Sequence, residues 1–124
     1  MPTILVIEDD EATRSLLARA LTREGYVVIE AADGRVAQGY MTTKQPDLVI
    51  TDIVMPDCDG IEFIHYVRSL ERRVPIVAVS GGGRLPAGGY LDMARLSGAA
   101  AVFAKPFCLA SIFSSLQTLL PRPT

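Results

Sequence analysis

Five short segments narrow the possible folds more than any other feature: Thr3–Ile7, Val27–Ala31, Leu48–Thr51, Ile76–Val79 and Ala101–Ala104 are each largely apolar and rich in β-branched or small residues. Segments of this length and character read as strands buried on both faces. Between them the apolar residues recur with helical period. Leu16, Leu17, Ala20 and Leu21 do so within Glu11–Glu24, which stops at Gly25, and Val36, Ala37, Tyr40 and Met41 follow. Ile61, Ile64, Val67 and Leu70 form the next set, and Ile112, Leu116 and Leu119 the last. Strand and helix in alternation imply an α/β domain: a doubly wound, five-stranded parallel sheet with helices on both faces. In such a sheet the ligand site lies beyond the carboxyl ends of the strands, where strand order reverses.

The remaining composition fits one such domain. A chain of 124 residues, 49% hydrophobic and 21% charged, can bury a core without disulfides or a structural metal. All of residues 1–124 are expected to form that domain, because the tail PRPT is too short for a linker carrying anything further. A formal charge of -2 gives no basic footprint, so no nucleic-acid partner is expected. Two cysteines, Cys58 and Cys108, make no disulfide framework and have no zinc-ligand spacing. The opening MPTILVIEDD lacks the basic start of a signal peptide, and no apolar run approaches the roughly 20 residues that span a bilayer. A soluble, cytoplasmic protein with no membrane partner is the expectation.

Polar residues at strand ends carry the chemistry. Glu8 and Asp9 follow the first segment, Asp52 the third, Ser80 the fourth and Lys105 the fifth, so the topology brings them to one edge. Taken singly, such acids are often helix caps, and Asp10 is a candidate cap. Three carboxylates drawn together raise one another's pKa values unless a cation offsets them. Oxygen donors without histidine or thiolate point to Mg²⁺ as the cofactor. A carboxylate beside a metal and a lysine can also act as a nucleophile toward phosphorus. The glycine-rich stretch from Ser80 to Gly89 has no Gly-Lys-Ser/Thr ending, so it reads as a mobile loop leading into a weak helix at Tyr90–Leu96, not as a nucleotide cradle.

Four blocks in order, ILVIEDD, DLVITDIVMPDCDG, VAVSG and FAKPF, resemble the signature blocks of response-regulator receiver domains, and the resemblance covers essentially the whole chain. It implies the flavodoxin-like receiver fold, with Asp52 as phosphoacceptor and with Asp9, Asp52 and the backbone carbonyl of Val54 as direct Mg²⁺ ligands. Glu8 would hold the ion through water, Lys105 would pair with the phosphoryl group, and the Ser80 hydroxyl would donate to a phosphoryl oxygen. The implied donor is a sensor histidine kinase or a histidine phosphotransfer protein. The output is altered binding of a downstream protein whose identity is unknown, so the chain is not expected to be an enzyme turning over a metabolite.

Two positions depart from the family pattern. Val102 stands three residues before Lys105, where receivers usually carry Tyr or Phe, and Phe103 should point to the other face as core. The loop after Ser80 is long and glycine-rich, and we expect it to be ordered by phosphorylation or by a partner. Val54 and Gly82 offer no group to position an attacking water, which predicts a long-lived phosphoaspartate.

Three rival readings differ in kind. A phosphatase using Asp52 transiently expects a second aspartate two residues later, where Val54 stands. The chain could also be a receiver cut from a longer transcription factor or enzyme, or a phosphate-independent interaction module. His65 reads as a surface or boundary residue, not a phosphohistidine. Cys58 lies between Asp57 and Asp59, which disfavour its thiolate, and Cys108 is expected to pack as a small apolar residue. Tyr40, Tyr66, Tyr90 and Phe113 are dispersed, as core or half-buried rings would be.

Overall fold

A computed structural model of the chain describes residues 2–53, 60–70, 73–80, 98–104 and 107–120, with the side chains of Ile61 and Ser80 outside that description. The segment Tyr90–Leu96, the loop 81–89 and Cys58 lie outside the described residues.

The five strands are β1 (Thr3–Ile7), β2 (Val27–Ala31), β3 (Leu48–Asp52), β4 (Ile76–Ser80) and β5 (Ala101–Ala104). All pair in parallel, in the order β2-β1-β3-β4-β5. The chain leaves β1 toward one edge to make β2 and then crosses back to make β3, so the order reverses between β1 and β3. Four described helices connect or follow the strands: α1 (Glu11–Arg23), α2 (Gly34–Thr43), α3 (Gly60–Ser69) and α4 (Leu109–Leu119). This is the doubly wound α/β architecture that the strand-helix alternation implied.

Alternation along the strands divides the core into two layers. Leu5, Ile7, Val49, Ile76 and Ala78 meet Ala37 and Met41 of α2 and Phe63, Ile64 and Val67 of α3 on one face. Ile4, Val6, Leu48, Ile50, Val77 and Val79 meet Leu17 and Leu21 of α1 and Ile112 and Leu116 of α4 on the other. Each fully buried Leu, Ile or Phe contributes roughly 1.5–3 kcal/mol, so both helix layers are held firmly to the sheet. Val102 packs with the first layer and Phe103 with the second, as the two-residue period requires.

Helix ends are closed by local chemistry. Asp10 caps α1, its carboxylate accepting from the Thr13 amide at 3.0 Å, and Asp33 caps α2 by accepting from the Val36 amide at 2.9 Å. At the other end of α1, Gly25 takes φ +98°. The Tyr26 amide donates to the Leu21 carbonyl and the Gly25 amide to that of Thr22, a Schellman closure that glycine permits.

Several sequence expectations are corrected. Strands β3 and β4 each run one residue further than read, because the ladder continues through Asp52 beside Val79 and Ser80 beside Ala104. Leu16 is 55% exposed and Val36 45% exposed, since each helix meets the sheet along a narrower stripe than its apolar residues mark out. The strands are not all buried on both faces. Val27 is 45% exposed and every residue of β5 is half-buried or exposed, because β2 and β5 are edges with a neighbour on one side only. Cys108 is exposed at the N-cap of α4 and does not pack into the core. The amides of Ser111 and Ala110 and then the Ser111 hydroxyl lower its thiol pKa, although the side chain makes no capping hydrogen bond. His65 is exposed, as expected. No described helix is long and apolar enough to cross a membrane.

Candidate functional site

The site forms where β1 and β3 end side by side. β1 delivers Glu8 and Asp9 directly after its last residue, while β3 delivers Asp52 as its own last residue. One carboxylate oxygen from each of Glu8, Asp9 and Asp52 lies within 4.8 Å of the other two. Glu8 and Asp52 are buried, at 2% and 5% exposure, and Asp9 is exposed and forms the solvent side of the cluster. Two like charges this close repel by about 3 kcal/mol at an effective dielectric of about 20. Such an arrangement is costly for a fold unless positive charge enters it.

The backbone around these acids is tied down. The Glu8 amide donates to the Ala31 carbonyl of β2 at 3.1 Å, and the Ile53 amide donates to the Val79 carbonyl of β4 at 3.0 Å. Thr51, fully buried, donates its hydroxyl to the Asp52 carbonyl at 2.9 Å. Asp10, next in line after Asp9, is committed to the α1 cap and does not belong to the cluster.

The sequence named six site groups, and the structure brings three of them together: Glu8, Asp9 and Asp52. The backbone of Ser80 ends β4 on the same edge, one residue past the partner of Asp52. Its hydroxyl, Lys105 and the Val54 carbonyl lie outside the described residues, although Ala104, immediately before Lys105, pairs with Ser80.

Sequence reasoning missed Arg14. Its Nη1 donates to the Glu8 carbonyl at 2.7 Å, and its Nε lies 3.4 Å from Glu30 Oε1 of β2. A cation four residues after the N-cap opposes the positive end of the helix dipole, and that mismatch was the available signal.

The cluster can do two things chemically. Three carboxylates, two of them buried and with no nitrogen or sulfur donor among them, form a hard-oxygen donor set that fits a small divalent cation such as Mg²⁺. A carboxylate held in such a set can also attack phosphorus once its charge is offset.

Comparison with known proteins agrees with this geometry. The family model of the response regulator receiver domain matches residues 4–117. Sporulation initiation phosphotransferase F of Bacillus subtilis is 33% identical over 118 residues, covering 95% of this chain and 93% of that protein. Response regulator MprA of Mycolicibacterium vanbaalenii is 36% identical, covering 98% of this chain and 51% of that protein. The chain thus spans nearly all of one such relative and about half the length of others. Among solved structures, chemotaxis protein CheY4 of Vibrio cholerae is 30% identical with a TM-score of 0.83, covering 97% of this chain and 99% of that one. A response regulator of Chloroflexus aurantiacus superposes with a TM-score of 0.88 at 27% identity, covering 98% of each chain. From its fold, its strand-end acids and these likenesses, the chain belongs to the family of response-regulator receiver domains, the signalling domains of two-component systems.

Proposed function

We propose that this receiver domain accepts a phosphoryl group onto Asp52 from the phosphohistidine of a sensor histidine kinase or a histidine phosphotransfer protein. The observation that carries the proposal is the buried Asp52 carboxylate facing Glu8 and Asp9 at the switch point of the sheet. In the transfer, an Asp52 oxygen forms the new bond to phosphorus in line with the breaking P–N bond, and the electron pair of that bond returns to the imidazole. Water later attacks the acyl phosphate and releases inorganic phosphate.

Asp9, Asp52 and the carbonyl of Val54 would hold Mg²⁺ directly, with Glu8 acting through water. The ion supplies positive charge for the phosphoryl oxygens. Lys105 pairs with the phosphoryl group, and the Ser80 hydroxyl donates to one of its oxygens. The carboxylates themselves do the positioning: burial restricts Asp52, and the tie between the Glu8 amide and Ala31 sets the height of the β1 end. Residues 1–124 act as one receiver domain in the cytoplasm, and the output is a change in binding to a downstream protein. With Val102 at the usual ring position, the switch works without an aromatic rotor there; Val102 is packed against the α2/α3 layer. Lacking a group at Val54 or Gly82 to orient water, the phosphoaspartate is long-lived.

Intact mass after incubation with acetyl phosphate or phosphoramidate and Mg²⁺ tests the proposal. Wild type is expected to gain one phosphoryl group and Asp52→Asn none. Gain in neither, with the protein folded and Mg²⁺ bound, would favour a phosphate-independent interaction module. A phosphoaspartate surviving only seconds would count against the lifetime inference.

A further inference from the structure

One charged side chain beside the acidic cluster has no part in the chemistry above. Arg14 leaves the first turns of α1 and reaches back under the end of β1, where its side chain is 17% exposed. It donates from Nη1 to the Glu8 carbonyl at 2.7 Å, while its Nε faces Glu30 Oε1 on β2 at 3.4 Å. The Glu8 amide is already bonded to Ala31, the residue after Glu30. Glu8 is therefore gripped at both its amide and its carbonyl, and both grips lead to the end of β2. The carbonyl of Glu8 belongs to the peptide that joins it to Asp9. Fixing that peptide plane fixes the starting direction of both carboxylates.

We propose that Arg14 is a positioning residue for divalent-cation binding: its guanidinium clamps the Glu8–Asp9 peptide against β2 so that both carboxylates stay turned toward Asp52. The inference rests on the acidic cluster being a cation site. Arginine suits the task, because its planar fork can serve a carbonyl and a carboxylate at once, which a lysine ammonium on a flexible stem does less well. Groups that orient metal ligands without touching the metal typically change affinity by about 10–100-fold when removed. The Arg14–Glu30 ion pair, with Glu30 46% exposed, is the weaker half of the clamp.

The test measures Mn²⁺ affinity by electron paramagnetic resonance, with competition by Mg²⁺, on wild type, Arg14→Ala, Arg14→Lys and Glu30→Gln. Each protein is also melted without divalent ions. Arg14→Ala is expected to bind Mn²⁺ about tenfold or more weakly. Arg14→Lys should recover part of that loss, and Glu30→Gln should lose less than Arg14→Ala. Equal affinity in Arg14→Ala and wild type would overturn the proposal, as would a loss of stability alone with affinity intact. Should Arg14→Ala not fold, Arg14→Lys and Glu30→Gln carry the test, and unchanged affinity in both overturns it. Failure of wild type itself to bind Mn²⁺ or Mg²⁺ overturns the cation site, a result distinct from failure of the clamp.

Discussion

The two ends of β1 and β3 use aspartate in opposite ways. At the amino end, Asp47 lies just before β3, and its carboxylate accepts from the Thr3 amide at 2.7 Å while its own amide donates to the Thr3 carbonyl at 2.7 Å. That carboxylate is exposed and satisfied by the backbone, and it staples the start of the central strand pair. At the carboxyl end of the same pair, Asp52 is buried against two more carboxylates. One end is closed by the chain's own hydrogen bonds. The other concentrates like charge, and that crowding leaves it ready to receive a cation and a phosphoryl group. One residue type thus serves stability at one end and function at the other, and burial with like charge makes the difference.

The largest effect that would sharpen this contrast is on phosphoryl transfer. Asp52→Asn should abolish the mass gain from acetyl phosphate, whereas Asp47→Ala should leave it unchanged; a phosphorylated Asp52→Asn protein would break the contrast outright. Next in size is the response to divalent ion. Mg²⁺ at about 100 times its Kd should stabilise wild type by about 2.7 kcal/mol in urea unfolding, and Asp52→Asn by much less. Equal stabilisation of the two would locate the ion elsewhere. Without divalent ions, Asp52→Asn should be more stable than wild type by about 1–3 kcal/mol, because a buried like charge is removed. A loss of stability would mean that Asp52 is held by favourable contacts that outweigh the repulsion. Smallest is Asp47→Ala, expected to lower stability by roughly 1 kcal/mol through loss of the bond to the Thr3 amide. No change on urea unfolding would remove the staple from the comparison.

Much of this architecture was legible in the sequence, because it rests on periodicities that are local. A strand shows its period of two and a helix its period of 3.6 within a few residues. The two core layers therefore follow from alternation, and Val102 and Phe103 separate to opposite faces as expected. Caps are local too, as Asp10 shows. Less legible were quantities set by neighbours distant in the chain. Leu16 and Val36 look like core in a helical pattern but stand largely exposed, because the width of the buried stripe depends on the sheet beneath. Cys108 looks like a small core residue but is exposed at the start of α4. Arg14 carries no motif, and its role emerges only when α1 is folded back over β1 and β2.

The sequence by itself determined the α/β class, the parallel strands and which acids stand at strand ends, since each of these is written in residue types a few positions apart. The sequence placed Glu8, Asp9 and Asp52 at one edge of the sheet, but tertiary structure alone set how close they come, with carboxylate oxygens within 4.8 Å of one another although Asp52 lies more than forty residues away in the chain. It also decided that Asp52 is buried while Asp9 is not, and that Arg14 reaches the Glu8 carbonyl. The physical reason is range. Backbone preference and hydrophobic period act over one turn or one strand, whereas electrostatic crowding depends on distances in space that are set only when strand order places β1 beside β3.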